Sequence, residues 1–123
     1  MARPARRVLT SLEKTVLAVM LDRPGEPYAT LQQQLAHAVV AKREFSGVGF
    51  FTSFTIPGDA PVKCDVADCV IQDVAADISC LEHGAGFILF VRNGVLSMLE
   101  GVASTGEWPE DIHDFKVYRL EEA

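Results

Sequence analysis

The sequence predicts an α+β fold in which an N-terminal helical hairpin packs on a mostly antiparallel sheet of about five strands. Apolar residues recur at three- and four-residue steps up to about residue 43, a spacing typical of helices that bury one side. After Gly47 they alternate instead, which is typical of strands. The 123 residues, 49% of them hydrophobic, are enough for one core. We therefore expect a single domain over residues 1–123, with the hairpin at about 9–43 and the sheet at about 47–121.

Two helices are predicted in the hairpin. Thr10 and Glu13 have the spacing of a capping box, so the first helix begins there, and a segment rich in proline and glycine ends it. The second helix is predicted from near Tyr28 to Lys42-Arg43, because two cations suit the negative end of a helix. The glutamines of this helix, Gln34 among them, are predicted on the side toward water.

The strands are predicted from alternation and from one clear turn. Asn93-Gly94 stands between two apolar runs, which predicts a two-residue hairpin turn because both residues tolerate positive φ. The run before this turn is apolar on both faces, so it is predicted as a central strand. The predicted strands lie within residues 48–56, 66–80, 87–91, 95–103 and 115–120.

The central strand at residues 87–91 also predicts something about the side of the sheet that the helices leave free. Because this strand is apolar on both faces, that side is not fully wet. The sheet either curls into a partial barrel or is covered by a second copy of the chain. A homodimer through this second sheet face is therefore one of our expectations.

The net charge of −6 is distributed unevenly along the chain. Residues 1–58 carry seven basic and four acidic groups, whereas residues 59–123 carry four basic and thirteen acidic groups. An acidic surface repels phosphate groups, which argues against nucleic acid as a partner. The acidic half is compatible with a basic protein partner, and it also serves simply to keep a protein in solution.

Cysteine usage and the apolar runs predict the compartment. The three cysteines are an odd number, which argues against a disulfide framework and favours reduced thiols. Glu13 and Lys14 interrupt the apolar stretch that a signal peptide would need. No run approaches the ~18 apolar residues of a membrane span. We expect a cytoplasmic protein with no membrane partner.

The residues Cys64, Cys69, Cys80 and His83 have the types of a known zinc ligand set, three cysteines and one histidine. Structural zinc sites favour two close-spaced ligand pairs, and only the pair formed by Cys80 and His83 has that spacing. The aspartates around the cysteines oppose a reactive thiolate. The sequence therefore predicts no metal ion, no cofactor and no catalytic residue.

His83, Glu100 and Trp108 are the candidate residues for a ligand or partner surface. Glu100 is predicted to share a strand face with apolar residues such as Leu96, and a carboxylate there needs a partner, a wet position or a task. Counting from the hairpin turn places His83 and Glu100 at one end of the sheet, from which the loop with Trp108 leaves. Each of these residues also has a purely structural alternative. Glu100 could accept a hydrogen bond at a strand end, His83 could be an ordinary loop residue, and Trp108 could cap the core.

Several segments in the second part of the chain resemble a known family. These segments are GVGFFTSF at residues 47–54, LEHGAGFILF at 81–90, NG at 93–94, LEG at 99–101 and EWP at 107–109. Together they resemble a family of small bacterial proteins of unknown function, over about residues 44–118. The resemblance implies a single compact domain and supplies no catalytic residue. Where that family tends to have an aromatic residue after Leu-Glu-Gly, this chain has Val102-Ala103-Ser104.

Two functions from different classes remain open at this point. The first is a non-enzymatic protein-interaction module, for instance of immunity or toxin-neutralising type. It is favoured by the small size, the acidic second half and the lack of a recognisable catalytic set. The alternative is a small-molecule-binding domain or minor enzyme that uses a cavity near His83 and Glu100.

Overall fold

The structure of the protein is a computed structural model, which describes residues 8–57 and 67–120. Two helices and six strands lie in these ranges, so the α+β class is confirmed, with six strands in place of about five. The elements are α1 (Ser11–Leu21), α2 (Tyr28–Leu35), β1 (Val39–Phe45), β2 (Gly49–Thr55), β3 (Cys69–Ile78), β4 (Ala85–Arg92), β5 (Val95–Ala103) and β6 (Phe115–Arg119).

The six strands form one sheet in the order β1-β2-β5-β4-β3-β6, and every neighbouring pair is antiparallel. Strands β3, β4 and β5 form a meander in the middle. The β1–β2 hairpin joins this meander through β2, which pairs with β5. Strand β6 returns to the opposite edge and pairs with β3. The most apolar strands therefore lie at the centre of the sheet.

The first helix begins where its sequence predicts. The Thr10 hydroxyl accepts a hydrogen bond from the Glu13 backbone N–H, and the Glu13 carboxylate accepts one from the Thr10 N–H, which completes the capping box. The helix crosses the sheet, because Glu13 contacts β1 and β2 while the carbonyls of Val19 and Asp22 accept hydrogen bonds from Arg119 of β6. The first helix thus spans almost the whole width of one face.

The second helix is shorter than predicted. It ends at Leu35, and residues 39–45 form the edge strand β1 instead of continuing the helix to Lys42-Arg43. Val39 and Val40 are β-branched, which favours a strand, and Val40 is buried while Val39 is exposed. The backbone groups of this segment pair with β2. A helix here would leave the edge of β2 without a neighbour.

Both helices pack on the same face of the sheet and form one core with it. Apolar residues from α1 and α2 join a single buried cluster with residues from the central strands. Its fully buried members include Leu17, Met20, Leu31, Phe87, Leu89 and Leu99. The opposite face of the sheet carries neither helix. We call that surface, which carries Phe51, Ile88 and Met98, the open face.

The predicted hairpin turn at Asn93-Gly94 is confirmed. Asn93 has φ 54° and Gly94 has φ 75°, and the turn joins Arg92 to its pairing partner Val95. A side chain from α2 supports this turn: the Gln34 amide donates to the Gly94 carbonyl and accepts from the Leu96 N–H, each at 2.9 Å. Gln34 is therefore fully buried, whereas the sequence pattern places it toward water.

Candidate functional site

The structure places Glu100 and Trp108 on opposite faces of the sheet. Glu100 pairs with Phe51 of β2 and with Ile88 of β4, and these residues belong to the open face. Trp108 packs on the side of the helices, where it belongs to the shell of the core. His83 is exposed, in the turn before β4, with its Nε2 atom 3.6 Å from a carboxylate oxygen of Glu82. The three candidate residues therefore do not form one cluster.

An irregularity in the pairing of β4 and β5 places Leu96 and Glu100 on different faces of the sheet. The register shifts between Phe90 and Val91, so that Met98 pairs with Phe90 whereas Leu96 pairs with Val91. Leu96 is buried on the side of the helices. The expectation that Leu96 shares a face with Glu100 is therefore wrong, because a strict alternation cannot take account of a bulge.

The absence of a side chain at Gly101 leaves room for the aromatic rings around Trp108. A Cβ atom at Gly101 would lie 2.4 Å from Cε1 of Phe50 and 3.0 Å from Cε1 of Phe87. The rings of Phe50 and Trp108 meet edge to face, with their centres 5.0 Å apart, and the backbone N–H of Trp108 donates to the Gly47 carbonyl at 2.7 Å. The glycine of the Leu-Glu-Gly segment thus makes room for the ring cluster on one face, while the glutamate before it points to the other.

A cleft lies beside Trp108, between the start of α1, the end of β1 and the loop that carries the tryptophan. Its volume is about 230 Å³, and a larger depression of about 560 Å³ continues it along the loop. We call the two together the Trp108 cleft. Its main lining residues are Glu13, Arg43, Phe45, Phe50, Trp108 and Glu110.

The wall of the cleft contains a buried ion pair. Arg43 donates to both carboxylate oxygens of Glu13, from Nη2 at 2.7 Å and from Nε at 3.0 Å. Glu13 also accepts from the Thr10 N–H at 2.8 Å and from the Thr52 hydroxyl at 2.6 Å. Glu13 is only 2% exposed. Each of its oxygens has two donors, so Glu13 holds the fold together and is poorly placed to act as an acid or a base.

Among the described residues that line the Trp108 cleft, the remaining charges are negative. Glu13 balances Arg43 in the wall, which leaves Glu110 as the third charged lining residue. Asp111 lines the outer depression with Glu110. The sequence pattern singled out Trp108 but missed Phe45 and Arg43, because it assigned both to the end of a helix or to a loop. The strand alternation of β1 could have indicated them.

The open face is apolar across five strands. Residues that pair across neighbouring strands share a face, and the pairing gives rows that run across the sheet. Its residues without charge include Phe51, Ser53, Val70, Ala75, Gly86, Ile88, Phe90, Met98, Val102 and Tyr118. Of these, Val70, Val102 and Tyr118 are exposed by 45%, 38% and 38%. A Cβ atom at Gly86 would meet nothing within 4 Å, so the middle of the face has a shallow gap.

Within the part of the chain that the structure describes, six charged residues lie on the open face, and their charges cancel. Three are basic and three are acidic, namely Lys42, Arg92 and Lys116 with Glu44, Asp77 and Glu100. Lys42 and Glu44 form an exposed ion pair at 3.4 Å, and Arg92 lies 5.5 Å from the centre of the Phe90 ring. Among residues 8–57 and 67–120, no group forms a hydrogen bond or ion pair with the Glu100 carboxylate.

The considered zinc site is not assembled by the described residues. Cys69 begins β3 and Cys80 follows its end, and ten strand residues at about 3.3 Å each separate the two by about 30 Å. Cys64 lies outside the described residues. No group of three metal-binding side chains occurs in the part of the chain that the structure describes. Cys69 and Cys80 are free thiols at the surface.

Comparison with known proteins identifies no relative of this chain. No protein-family model, curated protein or solved structure matches this chain. Neither of the two described helices has the length and apolar character that crossing a membrane requires.

Proposed function

We propose that the chain is a small, non-enzymatic protein-interaction module of the bacterial cytoplasm, and that its principal binding surface is the open face. The observation that carries this proposal is an apolar sheet face with neither described helix on it. Contiguous apolar patches of several hundred Å² mark interaction sites in soluble proteins. An immunity or toxin-neutralising role is the form of this function that the acidic second half favours.

The size of the open face suits a protein surface. Six strands spaced about 4.8 Å apart, each contributing about six residues of about 3.4 Å, give a flat area of about 600 Å². Side-chain relief adds to this area. Stable interfaces bury about 800 Å² on each partner, so the open face is of the size that one partner contributes.

The charge of the open face favours a second copy of the chain as its occupant. Two copies of a chain with net charge −6 repel one another through most of their surfaces. The open face escapes this repulsion because its three basic and three acidic side chains cancel. A twofold contact also brings a face against itself, so Glu100 of each copy has Arg92 or Lys116 of the other within the same surface as a partner.

The alternative function has less support. A small-molecule site or minor enzyme near His83 and Glu100 requires these residues to share a cavity. His83 is on an exposed turn and Glu100 is on the open face, and neither lines the Trp108 cleft. The Glu13 carboxylate, the most buried acid described, has all its acceptor sites occupied.

Sedimentation of the full chain tests the proposed self-association. We expect a dimer for the natural chain at micromolar concentration. Ile88→Glu places a second carboxylate beside Glu100 in the middle of the open face, and should give a monomer with an unchanged far-UV circular dichroism spectrum. Ala18→Glu adds the same charge on an exposed part of α1 and should remain dimeric. A natural chain that stays monomeric at 100-fold higher concentration would contradict the proposal.

A further inference from the structure

The Trp108 cleft is the strongest remaining feature of the molecule, and it opens on the side of the helices, away from the open face. Phe45 and Phe50 pair across β1 and β2, and Phe50 packs into the core beneath the helices. Glu44, one residue before Phe45, belongs to the other face. A dimer through the open face therefore leaves both of its clefts accessible.

The volume of the inner part of the cleft suits a single side chain better than a metabolite. Sites for small molecules and cofactors enclose about 300–1,000 Å³, whereas the inner part of the Trp108 cleft is half open and about 230 Å³ in volume. The adjoining depression is larger, at about 560 Å³, and about as open. This shape suits an extended peptide that lies in the depression and inserts one side chain into the inner part.

The aromatic walls favour a cation. Phe45 is 67% exposed, the largest exposed fraction among the large hydrophobic side chains described. Trp108 is half-buried beside it, with its ring held against Phe50. Cations bind the face of an aromatic ring, most strongly that of tryptophan. An exposed phenylalanine next to a held tryptophan is an arrangement that an arginine or lysine side chain can use.

The charges of the cleft favour a cation as well. The positive end of α1 would by itself attract an anion, but Glu13 in the first turn already supplies a carboxylate there. The same carboxylate pairs with Arg43, so the inner end of the cleft is close to neutral. Among the described lining residues, the other charged groups are the acidic Glu110 and Asp111. A ligand that enters the cleft therefore meets aromatic rings and, on the outer side, these two carboxylates.

We propose that the Trp108 cleft binds an arginine or lysine side chain from an extended basic segment of a protein partner. The side chain lies over the Phe45 and Trp108 rings, and its charged end pairs with Glu110. The proposal extends the protein-interaction function by naming a second surface and the chemistry of what binds there. It depends on the chain being a binding module, and it does not depend on self-association.

Fluorescence of Trp108, the one tryptophan of the chain, reports binding at this site directly. The full chain is titrated with an acetylated and amidated hexa-arginine peptide, with hexa-glutamate as the comparison. We expect a saturable change in Trp108 emission with hexa-arginine and none with hexa-glutamate. A saturable response to hexa-glutamate instead would indicate an anion site and overturn the proposal, as would no response to either peptide.

Paired variants separate a specific site from general attraction to an acidic protein. Glu110→Gln and Phe45→Ser should each weaken hexa-arginine binding by about fivefold, the size of one exposed ion pair or cation–π contact. Glu82→Gln removes the same charge from an exposed position that does not line the cleft and should leave binding unchanged. Equal weakening by Glu82→Gln and Glu110→Gln would overturn the proposal.

The same titration on Ile88→Glu keeps the two proposals apart. If the cleft acts independently of the open face, the monomeric variant binds hexa-arginine as the natural chain does. A dimer that does not bind hexa-arginine contradicts the cleft alone. A natural chain that is monomeric and binds hexa-arginine contradicts the open-face dimer alone.

Discussion

The guanidinium of Arg43 donates to both carboxylate oxygens of Glu13, at 2.7 and 3.0 Å, and so ties the first turn of α1 to the edge strand β1. Both side chains are shielded, with 15% of Arg43 and 2% of Glu13 exposed. A largely buried ion pair is costly to break on one side, because the remaining charge loses its partner.

Glu13→Ala should therefore lower the free energy of unfolding by about 3–5 kcal/mol, since Arg43 and the Thr52 hydroxyl both lose their acceptor. Urea denaturation followed by circular dichroism measures the change. Glu44→Ala is the matched control, because it removes a glutamate from the exposed pair with Lys42 and should cost at most about 1 kcal/mol. An equal loss in the free energy of unfolding for Glu13→Ala and Glu44→Ala would contradict a stabilising role of the Glu13–Arg43 pair.

Gln34→Leu should destabilise the β4–β5 hairpin by about 1–3 kcal/mol, because the buried Leu96 N–H loses its hydrogen-bond acceptor. The effect is measured by chemical denaturation, and hydrogen exchange at Leu96 should become faster than in the natural chain. Gln33→Leu changes the exposed neighbour in α2 and should stay within about 0.5 kcal/mol. A Gln34→Leu variant as stable as Gln33→Leu would contradict the assigned contact.

Two glycines on neighbouring strands should respond to alanine with opposite signs. Gly101→Ala forces its Cβ atom against the Phe50 and Phe87 rings and should cost about 1–3 kcal/mol. It should also shift the fluorescence emission maximum of Trp108, because the Trp108 ring packs against the same two rings. Gly86→Ala has open space and should stabilise by up to about 1 kcal/mol, since alanine loses less backbone entropy in a strand. Thermal melts of both variants check the difference in sign, and a shared sign would refute it.

Gly94→Val should lower the melting temperature, because a β-branched residue resists the positive φ of 75° at this turn. The expected cost is about 1–2 kcal/mol. Asn93→Gly is the control, since glycine adopts the φ of 54° at that position without strain. An unchanged melting temperature for Gly94→Val would contradict the turn assignment.

The parts of the fold that the sequence predicts well are those fixed by neighbours along the chain. The capping box of Thr10 with Glu13 and the Asn93-Gly94 turn depend on residues within three positions of each other, and both are confirmed. The sequence pattern extends the second helix to Lys42-Arg43, beyond its end at Leu35, because the apolar spacing around Val39 fits either a helix or a strand. Pairing with β2, which lies ten or more residues further along, decides between them.

The candidate site was harder to predict because its members come from distant parts of the chain. Glu13 is a capping residue by its spacing, and only the fold brings Arg43 to it. Gln34 resembles a solvent-facing residue until its partners, Gly94 and Leu96, are known. Trp108 was found by its residue type alone. Burial of a polar group depends on long-range partners, which local periodicity does not contain.

The two edge strands limit how copies of this chain can associate. In β1 the register shifts between Val40 and Lys42, and three charged residues follow in succession, Lys42 to Glu44. The other edge, β6, has only five residues, and Lys116 and Arg119 are among them. Bulges, charges and short strands discourage a neighbouring molecule from extending a sheet. Growth by adding strand to strand, the route to fibres, is thus disfavoured at both edges, whereas the proposed contact between two open faces would close after two chains.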